Sequence, residues 1–127
     1  MDCFVSNSAL MLRRSMDFLW TKQSCILDNI ANAETPGYKT KYATFEESLQ
    51  EAIQSASHKG STAGEIRSAI QGADISVEQA QENSRLDENG VNITEQMVEL
   101  ARNGYQMQYV MDAINSDFSL LRTAIKG

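Results

Sequence analysis

Both ends of this 127-residue chain carry an apolar stripe that repeats at alternating steps of four and three residues, and no other pattern constrains the fold as strongly. In the first third the stripe runs through Val5, Ala9, Leu12, Met16, Leu19, Gln23, Ile26, Ile30 and Ala33, with Gln23 as its one polar member. In the last third it runs through Ile93, Met97, Leu100, Gly104, Met107, Met111, Ile114, Phe118, Leu121 and Ile125, with Gly104 as its one gap. A period of about 3.5 keeps these side chains on one seam of a helix, which suits coiled-coil packing; an amphipathic bundle helix imitates it over this length. The expected fold is mainly all-α, with long N- and C-terminal helices pairing as an antiparallel coiled coil around a small irregular middle.

An antiparallel pairing with Ala33 near Ile93 sets Ile30 against Met97, Met16 against Met111 and Ala9 against Phe118. Gln23 then faces Gly104, where the missing side chain would make room for the amide. The second helix has a start signal in Asn92 followed three residues later by Glu95, a capping-box spacing that satisfies orphan backbone N–H groups. Asn92-Ile93-Thr94 also spells a glycosylation sequon, but the cap is the preferred reading. Off the seam, Phe4, Met11, Phe18 and Cys25 recur every seven residues, Trp20 and Leu27 flank it, and Tyr105 and Tyr109 point outward. Apolar groups at helical spacing away from a seam suggest a contact surface, so Phe4, Met11, Phe18, Trp20, Tyr105 and Tyr109 are candidate intersubunit residues.

The first stripe stops at Pro36, the only proline in the chain. Proline pushes Thr35 out of the helical region, and Gly37 tolerates the positive φ of a type II turn. The motif Asn29, Ile30, Asn32, Thr35, Pro36, Gly37, Tyr38 therefore ends a helix and turns the chain. Asn29 and Asn32 stand one helical turn apart, free to bond the turn or a neighbouring subunit, and the neighbour is the expected partner. This divides the chain into an inner part, residues 1–35 and 92–127, and a middle or outer part, residues 36–91. Phe45, Leu49, Ala52 and Ile53 mark a short helix from near Thr44 to before His58. Residues 61–73 are small and polar, and the tight turn at 87–90 would close a β-hairpin before the second arm.

Net charge of −6 disfavours a nucleic-acid surface, which needs clustered Lys and Arg. The acidity lies in the back of the chain: residues 1–45 carry five basic and four acidic side chains, residues 46–127 six and thirteen. A solvated acidic face accounts for it. No apolar run is long enough to span a bilayer, and the start lacks the pattern of a cleaved signal peptide. Cys3 and Cys25, about 33 Å apart on one helix, cannot pair with each other and are expected as free thiols, with an intersubunit disulfide as the minor alternative. Catalytic and metal constellations are missing: His58 is the single histidine, there is no C-x-x-C or Gly-rich phosphate loop, and the acidic pairs are sequence neighbours. No enzyme activity, metal or cofactor is expected.

The layout resembles the bacterial flagellar basal-body rod proteins. Residues 29–38 match the signature N-I-A-N-x-x-T-P-G-Y of that family throughout, at the end of an N-terminal helix. Residues 91–101, then Tyr105-Gln106, then residues 118–125 are similar to the FlgB-type proximal rod proteins. A FlgC-type sibling has Tyr-Gln-Ala-Asn where this chain has Tyr105-Gln106-Met107-Gln108. The resemblance implies a structural subunit that self-assembles into the helical rod, transmits torque and surrounds the export channel. It implies as partners copies of itself, other rod proteins, the MS-ring and export-gate side of the basal body, and the flagellar type III apparatus. That apparatus would export the chain to the periplasmic rod without a cleaved signal. Another rod subunit, or a soluble coiled-coil adaptor or chaperone, is the alternative.

Overall fold

The computed structural model describes residues 6–45, 49–50, 54, 62–80 and 90–126. Among the described residues, the elements with stated bounds run in the order α1 (Asn7–Ala31), β1 (Lys41–Thr44), α2 (Ala63–Gly72), β2 (Ser76–Gln79) and α3 (Ile93–Lys126). The chain is thus mainly helical, with a long helix at each end.

Local chemistry sets the helix ends. Ser6 caps α1 by accepting from the Ala9 amide at 3.0 Å, and Asn92 caps α3 by accepting from the Glu95 amide at 3.2 Å. The small, polar stretch at 61–73 contains α2. Its start is a full capping box: the Glu65 amide donates to the Thr62 hydroxyl at 3.3 Å and the Thr62 amide donates to the Glu65 carboxylate at 2.6 Å. Threonine followed three residues later by glutamate is a legible start signal, and the weak apolar content of the stretch hid it.

The β element also differs from expectation. β1 and β2 pair antiparallel, Lys41 opposite Gln79 through Thr44 opposite Ser76, with residues 45–75 between them. Strands separated by that much chain are not a hairpin; α2 and its flanks fill the crossover. Of the tight turn read at residues 87–90, residues 87–89 lie outside the described residues, as do Ala52, Ile53 and His58; Leu49, Gln50 and Gln54 are helical.

α1 is the central element and buries two faces. One packs Leu10 against Phe45, Leu49, Ile70 and Ala73, with Met11, Phe18, Ile66 and Ile75 around them. The other packs Met16 and Leu19 against Val110, with Leu12, Met107 and Ile114 around them. Phe18 touches both clusters and stacks on Phe45, ring centroids 5.6 Å apart. The Arg14 guanidinium lies over the Phe45 ring, 5.5 Å from its centre, and donates to the Ala73 carbonyl beyond the end of α2.

α1 and α3 pair antiparallel: Asn29 bonds Gln96, Lys22 pairs with Glu99 at 3.4 Å, and Asn103 bonds the Leu19 carbonyl. The face that α3 turns to α1 differs from the expected stripe by one residue in half of its positions. Leu100, Met107, Ile114 and Leu121 lie partly buried on it, but the buried members are Gln96, Asn103 and Val110. Met97, Gly104, Met111 and Phe118 are exposed beside it. Gly104 also makes no room for Gln23, since nothing lies within 4 Å of a Cβ built there. The reason is hydrogen bonding. An apolar pattern assigns amides to the surface, whereas Gln96 and Asn103 each find a partner on α1 and can be buried.

Candidate functional site

The motif at the end of α1 forms a hydrogen-bonded junction between α1, β1 and α3. Asn29 is 1% exposed and uses its whole amide. Its Nδ2 donates to the Lys41 carbonyl at 2.8 Å and to Gln96 Oε1 at 3.0 Å. Its Oδ1 accepts from the Lys41 amide at 2.8 Å and from the Tyr38 hydroxyl at 3.1 Å. Two donors and two acceptor lone pairs are the full capacity of an asparagine side chain. One residue thus ties the helix it ends, the strand that follows and the distant helix α3.

The rest of the motif makes that geometry. Asn32 Nδ2 donates to the Asp28 carbonyl at 2.9 Å and its Oδ1 accepts from the Thr35 hydroxyl at 3.2 Å. Backbone turns close from Thr35 to Asn32 at 3.0 Å and from Tyr38 to Thr35 at 3.2 Å. Gly37 sits at φ +74, the left-handed region where a Cβ is penalised. Pro36 is exposed, Ile30 is half-buried, and Tyr38 swings back over the turn to reach Asn29. The Asn29 amide therefore turns inward, and the Asn32 amide closes its own turn. The chain reversal at Gly37 brings Lys41 and Tyr38 within reach of Asn29, which adjacency in sequence does not reveal.

Gly37 separates backbone strain from packing. With no atom within 4 Å of an added Cβ, Gly37→Ala is expected to cost about 1–2 kcal/mol from its φ alone, and Gly37→Asn less. Thermal unfolding of the two variants checks the order.

Cys25, one turn before Asn29, is a free buried thiol. Burial pushes its pKa up, the Asp28 carboxylate adds to this, and Lys41 opposes it. Burial likewise raises Tyr38, with Asp28 and Cys25 adding to it. In each case the folded chain holds the proton more tightly than the unfolded chain. The stabilisation is complete below the unfolded pKa, roughly pH 8.5 for a thiol, and is lost as pH rises through the folded value. Urea melts between pH 7 and 10 are expected to lose stability on the alkaline side, with a shallower loss in Cys25→Ala.

Of the expected seam residues on α1, Met16, Leu19 and Ile26 are buried and Leu12, Gln23 and Ile30 half-buried. The candidate intersubunit residues divide. Phe4 lies outside the described residues. Met11 and Phe18 are half-buried against the chain's own Phe45 cluster, because Phe45 and α2 pack on that side of α1. Trp20, Tyr105 and Tyr109 are 57%, 80% and 75% exposed. The two tyrosines border an open groove of about 730 Å³ whose other walls include Met11, Phe18, Phe45 and Leu49. Among the described residues no group of His, Cys, Asp and Glu could hold a metal ion, and no helix is long and apolar enough to cross a membrane.

No family model matches the chain. Curated relatives do. The flagellar basal body rod protein FlgB of Aeromonas hydrophila is 31% identical over 102 residues, covering 78% of this chain and 77% of the relative. The chain belongs to the FlgB family of flagellar basal body rod proteins. The FlgB of Bacillus subtilis (strain 168) is similar at 28% identity over 114 residues, 84% of this chain and 83% of that protein. Alignments of this length take in more than the two arms, so the FlgB relationship extends into the middle of the chain, where the sequence carries no recognisable motif.

Proposed function

We propose that this FlgB-family chain is a structural subunit of the proximal rod of the bacterial flagellar basal body. Copies of it join one another and other rod proteins in a helical tube that transmits torque and surrounds the export channel. Residues 1–35 and 92–127 form the inner layer of that tube, and residues 36–91 its outer part. The MS-ring and export-gate side of the basal body lies below it. The flagellar type III apparatus delivers it to the periplasmic space with no cleaved signal. Its work is mechanical, without catalysis or cofactor.

Beyond family membership, one observation carries this reading. The paired arms leave Trp20, Leu27, Met97, Met111, Phe118 and both tyrosines exposed at helical spacing. Exposed apolar groups recurring at helical spacing suit a subunit of a helical assembly, which needs different faces for different neighbours. Deleting the gene is expected to abolish motility and rod formation. Motile deletion cells with intact basal bodies would overturn the reading. In complemented cells, Tyr105→Glu with Tyr109→Glu is expected to leave the purified chain folded and to block rod assembly; full motility would remove these residues from the interface.

A further inference from the structure

The paired arms present two faces, and helical geometry places them on opposite sides of α1. At about 100° per residue, Trp20 and Leu27 lie about 160–180° around α1 from Met11 and Phe18. Met11 and Phe18 pack toward Phe45 and α2, whereas Trp20 and Leu27 are 57% and 49% exposed on the far side. α3 repeats the division. Gln106 and Tyr109 line the groove beside Met11 and Phe18, and Met97 and Met111 stand exposed on the other flank. The Leu19–Asn103 and Lys22–Glu99 contacts bring that flank of α3 level with Trp20.

The two faces complement each other in shape and charge. The first holds the open groove of about 730 Å³, whose walls include Phe18, Phe45, Leu49 and Tyr109. The second carries a large exposed ring, Trp20, level with a gap: Gly104 is exposed, and no atom lies within 4 Å of a Cβ built there. A glycine in mid-helix weakens it, and no described part of the chain uses the space this one leaves. Among the described residues, the groove has one charged wall, Lys22. On the other face Asp17, one turn before Trp20, and Asp28, directly after Leu27, have side chains 64% and 54% exposed, and they outnumber Arg13. The complement of each face is thus found on the opposite side of the same chain. Pairing like with like would set the aspartates against their own copies and leave two grooves unfilled.

We propose that the Trp20 face of one copy seats in the groove between Phe18 and Tyr109 of the next, with Trp20 as the buried anchor and Asp17 meeting Lys22 at the rim. The contact is heterologous: each copy offers a ridge on one side and a groove on the other, so copies add in one direction, into a ring or an open helix. This rests on the reading of the chain as a self-assembling subunit, and names the two surfaces that join. A tryptophan enclosed by tyrosine and phenylalanine rings has the composition of an interface hot spot.

The test mixes two forms of the full chain, both with Cys3→Ser and Cys25→Ala. One carries Ser24→Cys on the ridge side and the other Gln106→Cys at the groove, both exposed positions. A short bis-maleimide is expected to join the two forms to each other and to give few dimers of either form alone. Below saturation, Trp20→Ala in the Ser24→Cys form, or Tyr105→Glu with Tyr109→Glu in the Gln106→Cys form, is expected to cut the yield about 30-fold, the loss of a hot-spot contact. Trp20→Ala placed in the Gln106→Cys form is expected to leave the yield unchanged, an asymmetry that a folding defect does not produce. Equal yields in all of these mixtures, dimers of like forms only, or no dimers at all overturn the inference. So does a Gln106→Cys form that, in basal bodies, joins only a different protein, an outcome that leaves the rod reading intact. Motile deletion cells overturn the rod reading instead, and not a contact that the cross-link records.

Discussion

Asn29→Ala is expected to lower the stability of the purified chain by about 3–5 kcal/mol, whereas Asn32→Ala costs about 1 kcal/mol. The two asparagines look equivalent in the sequence, one turn apart in the same motif. Their surroundings differ. Asn29 is buried and satisfies the Lys41 amide and carbonyl, Gln96 and Tyr38, so its loss strands several polar groups out of water at once. Asn32 is half-buried and bonds only within its own turn, where water can replace it. Urea denaturation of both variants measures the difference, and equal costs would show that the junction contributes little. Because the network joins α1 to α3, the Asn29 variant should also lose hydrogen-exchange protection at the start of α3.

The second large effect is expected at Phe45. Truncation to alanine removes a ring that is buried between α1 and α2, stacks on Phe18 and underlies Arg14. Large-to-small changes of this kind cost about 3–5 kcal/mol, the transfer term plus the cavity left behind. The loss should also be local. Phe45 belongs to the cluster that holds residues 62–80 against α1, whereas the α1–α3 seam is built from Met16, Leu19 and Val110. Hydrogen exchange on Phe45→Ala should therefore show loss of protection in α2 and the strand pair ahead of the two arms. Uniform loss along the chain would mean that the two clusters unfold as one unit.

The two long helices were legible because the seam on α1 is nearly pure apolar, and because Asn92 and Pro36 mark ends by chemistry that acts within a few residues; the Ser6 cap of α1, equally local, was not read. The capping box of α2 was equally local and was passed over for want of apolar residues around it. The strand pair could not be read, since β1 and β2 are short and meet across residues 45–75. The seam on α3 was half legible: the Leu100, Met107, Ile114 and Leu121 lane follows hydrophobicity, and the Gln96 and Asn103 lane does not.

For the motif in residues 29–38, local chemistry was enough to show that α1 ends there, that the chain reverses at Pro36 and Gly37, and that the stretch resembles the signature of a flagellar rod family. Those properties arise from φ preferences and spacing within one turn of chain. Where the asparagine amides point depends on the folded chain. Satisfying a buried amide depends on groups brought from Lys41, Tyr38 and Gln96, and the distance in sequence between Asn29 and Gln96 gives no sign that their side chains lie 3.0 Å apart. The same physics explains why Asn103 is buried while Met97 and Met111 are exposed: hydrophobicity belongs to a residue, but a hydrogen-bond partner belongs to the fold.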